Sequence, residues 1–253
     1  MNLFLLSLKV NGYPIDKATE LLSEIHLMNN EAFLEWHEQK KWDVFNYHYN
    51  TNKFYRSLVM SRSDTFPDRW SGIPIITKND FQNPVKDIIA EGIGKNEIYL
   101  SNTSGSSGHP FYFAKDKFCH AVTWAIAGER YKWHNIDYGK SLQARFYGIP
   151  LARKGYLREK IKDGFSARVR FPIFDLSVNN LNGFLQQFRK YKFEYINGYT
   201  SSLCQFAAFL IDKDIVLKDI CRSLKVAIPT AEVLNEKDRN LLKKAFGVAI
   251  IFE

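Results

Sequence analysis

Tyr99-Leu100-Ser101-Asn102-Thr103-Ser104-Gly105-Ser106-Ser107-Gly108-His109-Pro110, followed by Phe111-Tyr112-Phe113, is the stretch on which the reading of this chain turns. Apolar runs on either side of a hydroxyl- and glycine-rich core read as strand, tight loop, strand. Successive backbone N–H groups in such a loop can converge on an anion, and hydroxyls add donors. Glycine admits positive φ and lets the backbone approach a phosphate closely. Two readings stand here, a phosphate-gripping loop and an ordinary Ser/Gly turn or linker. Gly-Lys-Ser/Thr does not follow, so this is no Walker loop. A strand rather than a helix follows, so it is no dinucleotide fingerprint.

Outward from the loop, residues 14–60 read as mostly helical, with Pro14 at the start and aromatic residues recurring from Phe33 to Tyr55. Asp64–Gly72 reads as a loop, and Ile73-Pro74-Ile75-Ile76 as a short extended segment. Thr77 with Asp80 three residues on marks a helix start. Strands are expected at Ile98–Ser101, Phe111–Ala114, Leu142–Tyr147, Phe193–Ile196, Leu224–Ile228 and Val248–Phe252. A long helix is expected over Lys115–His134. Leu181, Phe184, Leu185 and Phe188 recur at helical spacing, as do Leu203, Phe206, Ala207 and Leu210. Asn197-Gly198 reads as a turn into a helix capped near Thr200 or Ser201. Asn235 reads as the cap of a helix that Gly247 ends.

The alternation of strands and helices from residue 98 predicts an α/β fold: a helical N-terminal region, 1–90, then mixed sheets flanked by helices over 91–253. The run Val248-Ala249-Ile250-Ile251-Phe252 is of the kind found inside a doubly covered sheet. The chain stops there, and the sequence is read as a fragment, a truncated product or half of a split protein.

With 253 residues, 45% hydrophobic and 15% aromatic, the chain can bury a sizeable core, which excludes global disorder. Thirty-five basic against 27 acidic residues give a net charge of +8 and suit an anionic ligand. Cys119, Cys204 and Cys221 are odd in number and widely spaced, so neither a disulfide framework nor a zinc site is expected, and a reducing cytoplasm fits best. Cys204 reads as a small buried hydrophobe. The six histidines show no metal spacing, no metal cluster is expected, and no Ser–His–Asp arrangement or Gly-x-Ser-x-Gly elbow occurs. No run is long and apolar enough to span a bilayer. No catalytic residue is assigned.

Between Arg153 and Arg170 lie seven basic and two acidic residues, a local charge of +5. The functional readings are a coenzyme A phosphate site, peripheral contact with an anionic membrane through residues 153–170, or nucleic acid. The plain one is a solvated helix and loop. Nucleic acid is not the expected partner.

Three ordered segments carry a resemblance: Thr103–Pro110; Asn197-Gly198-Tyr199-Thr200-Ser201-Ser202-Leu203; and Thr230-Ala231-Glu232-Val233-Leu234 with the capped helix and Phe246-Gly247-Val248 beyond. Together they resemble the adenylate-forming ligases, over most of residues 40–253. The nearest branch is that of the phenylacetate–CoA ligase-like proteins, including those of capsular polysaccharide gene clusters. The resemblance implies the N-terminal portion of an enzyme that activates a small-molecule carboxylate with ATP and Mg²⁺ to acyl-AMP, with coenzyme A as a possible acceptor. It implies that Thr103, Ser104, Gly105, Ser106, Ser107 and Gly108 hold the ATP phosphates. Thr230, Ala231 and Glu232 fall where the family lines the adenine and acyl pocket, with Thr230 where glycine is common. Tyr199 reads either as an acyl-pocket residue or as a half-buried packing aromatic, and Glu232 as an adenine-side group or an exposed loop carboxylate. His109 stands where the family often has lysine. The family's Tyr-Gly-x-x-Glu motif and lysine-bearing C-terminal domain would lie past Glu253, so a complementing C-terminal partner is implied. The rival to an active ligase is an inactive remnant that binds a nucleotide or a partner.

Overall fold

The computed structural model describes residues 3–63, 65–103, 110–148, 163 and 167–251. It divides into two units, Leu8–Ile126 and Met1–Ser7 with Ala127–Glu253.

In the first unit asparagine side chains set the helix starts. After α1 (Leu3–Val10) and α2 (Ile15–Leu27), Asn29 caps α3 (Asn30–Thr51) by accepting from Ala32 N at 2.8 Å. Asn52 closes α3 and opens α4 (Lys53–Met60). Its Oδ1 accepts from Tyr55 N at 3.0 Å, and its Nδ2 donates to Ile88 O at 2.9 Å, which ties both helices to α5 (Val85–Ile88). A capping bond of this kind contributes about 1 kcal/mol. The helical reading of 14–60 is met, and Phe45 is buried among Trp42, Tyr49, Tyr55 and Phe66.

Thr77 and Asp80 form the expected capping box, but the helix they start is a single 3₁₀ turn, Lys78–Phe81. Pro84, just downstream, cannot extend it. The Asp80 carboxylate also takes the Arg62 guanidinium through both oxygens. Arg62 and the Thr77 backbone N–H hold Asp80 at about 2, below its usual 3.8. A carboxyl whose folded value is depressed stabilises the fold above its unfolded value and loses that contribution as the pH falls through the folded one. Thermal melts should therefore lose stability between about pH 4 and pH 2, and Asp80→Asn should flatten that slope. A variant as pH-sensitive as the parent would remove Asp80 as the cause.

β1 (Ile98–Asn102) and β2 (Tyr112–Asp116) pair antiparallel, with Ser101 opposite Phe113. Lys115 and Asp116, read as helix, stay in β2. Asp116 Oδ1 then accepts from Cys119 N at 2.6 Å and so caps α6 (Lys117–Lys132).

The second unit is a parallel sheet in the order β4-β3-β5-β6-β7, from β3 (Gln143–Phe146), β4 (Arg168–Phe171), β5 (Tyr195–Tyr199), β6 (Val226–Thr230) and β7 (Ala249–Ile250). Helices α7 (Val178–Lys190), α8 (Thr200–Asp212), the short α9 (Leu217–Ile220) and α10 (Glu236–Phe246) complete it. The two apolar stripes read from the sequence are buried in one core: Phe184, Leu185 and Phe188 of α7 and Leu203, Phe206 and Leu210 of α8 meet Ala144, Phe146, Phe171 and Ile196 of the sheet. Each large side chain withdrawn from water contributes about 1.5–3 kcal/mol. Asn235 caps α10 by accepting from Asp238 N, and Gly247 ends it in the left-handed region at φ 68°, as expected.

The mixed sheets flanked by helices agree with the expected α/β class, with three local corrections. Asn197-Gly198 is not a turn but the middle of β5, hydrogen-bonded between β3 and β6. The cap of α8 is Tyr199, which makes no side-chain capping bond, rather than Thr200 or Ser201. Within the run at 248–252, whose last residue lies outside the described ones, residues 248–251 are not doubly covered: among the described residues β7 is an outer strand, with Ala249 exposed and Ile250 partly buried.

Candidate functional site

The ends of the candidate phosphate loop are held by one residue pair. Thr103 N donates to Phe111 O at 2.9 Å, and Phe111 N donates to Thr103 Oγ1 at 3.0 Å. The Thr103 hydroxyl accepts in this pair, and its proton remains available to a ligand oxygen. Ser104, Gly105, Ser106, Ser107, Gly108 and His109 lie outside the described residues. Past the pair, Phe111 and Phe113 line an apolar cleft of about 520 Å³ with Val44, Tyr47, His48 and Ile88. Burial holds the His48 imidazole below its usual value, so it is neutral at pH 7.

In the parallel-sheet unit the other predicted site residues do come together. Tyr199 ends β5 directly opposite Thr230, the last residue of β6. This is the carboxyl edge of the sheet, where open α/β folds gather ligands. Ala231 follows at φ 65°, in the left-handed region. For an alanine that conformation costs roughly 1–2 kcal/mol. The strained residue is thus Ala231, while Thr230 stays in the strand.

The turn at Ala231 brings Glu232 back onto the start of α8. Its Oε2 accepts from Ser201 N at 2.6 Å, its Oε1 accepts from Ser201 Oγ at 3.0 Å, and its backbone carbonyl accepts from Thr200 Oγ1 at 3.4 Å. A carboxylate here meets the unpaired N–H groups and positive end of the helix. The carboxylate is exposed and is a capping group supplied from 31 residues downstream. Tyr199 is partly buried, and its ring meets Tyr147 at 4.9 Å between centroids.

Arg145 and Tyr147 were not singled out from the sequence. The signal was there: in Gln143-Ala144-Arg145-Phe146, a strand places Arg145 on the face opposite Ala144 and Phe146. Both of those are fully buried, and a charged residue in an interior strand is unusual. The Arg145 guanidinium lies over the Tyr147 ring, 4.3 Å from its centroid, and its Nε is buried without a hydrogen-bond partner.

The basic segment divides. Arg153–Lys162 lie outside the described residues. Arg168 and Arg170 both bond the Asp163 carboxylate, with side chains only 12% and 8% exposed against 14% for Asp163. These two arginines are internal ion-pair partners and belong to no open basic surface. Among the described residues no three His, Cys, Asp or Glu side chains gather as a metal site. Cys204 is partly buried, and burial together with Asp238 pushes its thiol up to about 11, which makes it a poor nucleophile at neutral pH. No described helix is long and apolar enough to cross a membrane.

No family model matches the chain. Protein CapK of Staphylococcus aureus is 24% identical over 236 residues, which cover 87% of this chain and 49% of that protein. Among solved structures, the open conformation of 2-hydroxyisobutyryl-CoA ligase in complex with 2-HIB-AMP and CoA aligns with a TM-score of 0.60 at 16% identity, covering 89% of this chain and 54% of that one. The same ligase in the postadenylation state, in complex with 2-HIB-AMP, aligns at 0.55 with 17% identity, covering 83% and 46%. The fold is that of the adenylate-forming CoA ligases, and the chain spans about half the length of the proteins it matches.

Proposed function

We propose that this chain is the N-terminal portion of an ATP-dependent, acyl-adenylate-forming ligase of the phenylacetate–CoA ligase-like branch, acting in the formation of capsule or another surface polysaccharide. The observation that carries the reading is the likeness, over 89% of the chain, to a ligase whose structure holds an acyl-AMP and CoA. The three sequence segments described above support it, and the relation to CapK supports the polysaccharide setting.

In the reaction a carboxylate oxygen forms a bond to the α-phosphorus of ATP. The bond from that phosphorus to the bridging oxygen breaks, and pyrophosphate leaves with the electron pair. In a second step a thiol attacks the acyl carbon, losing its proton, and AMP leaves. Catalysis of the first step is positioning and charge stabilisation, and no protein nucleophile is required. On this reading Thr103 to Gly108 take the phosphates, with the Thr103 hydroxyl proton as one donor. Tyr199, Thr230, Ala231 and Glu232 border the adenine and acyl groups. Mg²⁺ would neutralise phosphate charge in such chemistry.

The test is direct binding of ATP to this chain beside ATP-dependent hydroxamate formation and pyrophosphate exchange with a panel of carboxylic acids. ATP binding by this chain is the expected result, with hydroxamate formation and pyrophosphate exchange weak from the chain alone and raised when a lysine-bearing C-terminal domain is added. Binding with neither reaction even after that addition would replace the ligase by a nucleotide-binding remnant, and a folded chain that binds no nucleotide would overturn both.

A further inference from the structure

One face of β3 and β4 carries three guanidinium groups and one carboxylate. Arg145 is opposite Arg170 in the strand register, and Arg168 lies two residues back on the same face, opposite Gln143. Asp163 is shared by Arg168 and Arg170, with Arg170 Nη2 at 2.8 Å and Nε at 3.1 Å from its oxygens. Arg145 has no carboxylate partner among the described residues. What it has is the face of Tyr147 beneath it, a buried Nε–H with nothing to donate to, and two neighbouring positive charges. Burial first, then Arg168 and Arg170, push its proton affinity below the usual arginine range.

Arg145 is partly buried, and its Nε–H is withdrawn from water without a partner. An unsatisfied N–H of a charged group is costly, and removing it is often the more stable solution. Sites that keep such a group are commonly those where a ligand supplies the missing partner. The position also matters. Arg145 is one residue from the carboxyl end of β3, and the ring it lies on is the ring that meets Tyr199. Its five N–H donors in a planar fork match the two oxygens of a carboxylate or a phosphate.

We infer that Arg145 is a specificity residue that receives a second oxyanion group, carried by the acid this site takes. The substrate class is accordingly an acid bearing a further negative charge, not a simple monocarboxylate. The inference rests on the acyl-activating reading above, while its test does not need catalysis.

The experiment is equilibrium binding to the whole chain at constant ionic strength, followed by thermal shift. Succinate, glutarate and 3-phosphonopropionate are compared with butanoate and pentanoate, and inorganic phosphate and CoA form separate arms. The dianionic acids should bind at least ~10-fold more tightly than monoanions of equal length. Arg145→Gln should bring that ratio near one, and Arg145→Lys should retain part of it, since charge survives but the fork does not. Arg145→Met without ligand should melt at the same or a higher temperature, whereas a structural arginine would leave a less stable protein. Equal binding of mono- and dianions, or a preference that survives Arg145→Gln, would overturn the inference. So would protection by phosphate or CoA alone. A chain that activates acids without a dianion preference loses this inference and keeps the ligase reading. A chain that binds no nucleotide yet shows an Arg145-dependent dianion preference does the reverse.

Discussion

Gly198→Ala should cost about 3 kcal/mol or more of stability, at the top of the range for forcing an extra carbon into a packed core. A Cβ at this position would lie 2.4 Å from Phe146 Cβ, 2.7 Å from Phe146 O and 3.1 Å from its Cα. Two of those atoms are backbone of the neighbouring strand, hydrogen-bonded in register with Gly198, so no rotamer change relieves the clash. Phe146 has nowhere to retreat. It is fully buried, stacked on Phe171 at 4.7 Å between centroids and bounded by Phe184 and Phe206. The readout is the midpoint of urea unfolding. Gly183→Ala in α7 is the matched control, because nothing lies within 4 Å of a Cβ there, and it should gain about 0.5–1 kcal/mol from helix propensity. Equal midpoints for parent and Gly198→Ala would disprove the close approach of β3 and β5.

That glycine also shows where the sequence misleads. Asn-Gly is a strong turn signal because both residues tolerate positive φ. Here the glycine is needed for the space its missing Cβ leaves to Phe146, 52 positions away in the chain, and Asn197 spends its amide on Ile228 O at 3.1 Å. Local chemistry carries no trace of either contact. The helices were legible because their apolar spacing of three and four residues is itself local, as with Phe184, Phe188, Phe206 and Leu210. So were the ends of α10, where Asn235 and Gly247 act on their own helix. The Tyr199–Thr230–Glu232 grouping was legible only through resemblance, since it is made by a register between strands and a cap arriving from 31 residues downstream. Arg145 was missed because one arginine in the sequence looks like any other until Ala144 and Phe146 are known to be core. Arg168 and Arg170 read from the sequence as part of a basic surface because nothing local shows that both turn inward onto the Asp163 carboxylate.

Gly105→Ala combined with Gly108→Ala should weaken ATP binding by roughly 10²–10³-fold while leaving the fold intact. On the proposed reading both glycines let the backbone turn its N–H groups onto the phosphates. Each alanine forced into positive φ costs about 1–2 kcal/mol. A lost charge-assisted bond to phosphate adds about 1.5–3 kcal/mol. At about 1.4 kcal/mol per tenfold change, two strained alanines together cost about 2–4 kcal/mol, and a lost bond to phosphate lifts the lower end into the stated range. The strands on either side have their own anchors. Five register pairs hold β1 to β2, and the Thr103–Phe111 pair closes their end, with backbone groups and a threonine hydroxyl that the substitutions do not touch. The melting temperature should accordingly stay within a few degrees of the parent while nucleotide affinity collapses. An ATP affinity equal to the parent's would strip the loop of its role and leave Thr103–Gly108 as an ordinary turn. A collapse of both affinity and melting temperature would instead make the glycines part of the hairpin's own stability. Thr103→Val separates the contributions further, because it removes the hydroxyl that accepts from Phe111 N together with the proton offered to the phosphate. Thr103→Ser keeps both, and should bind ATP as the parent does.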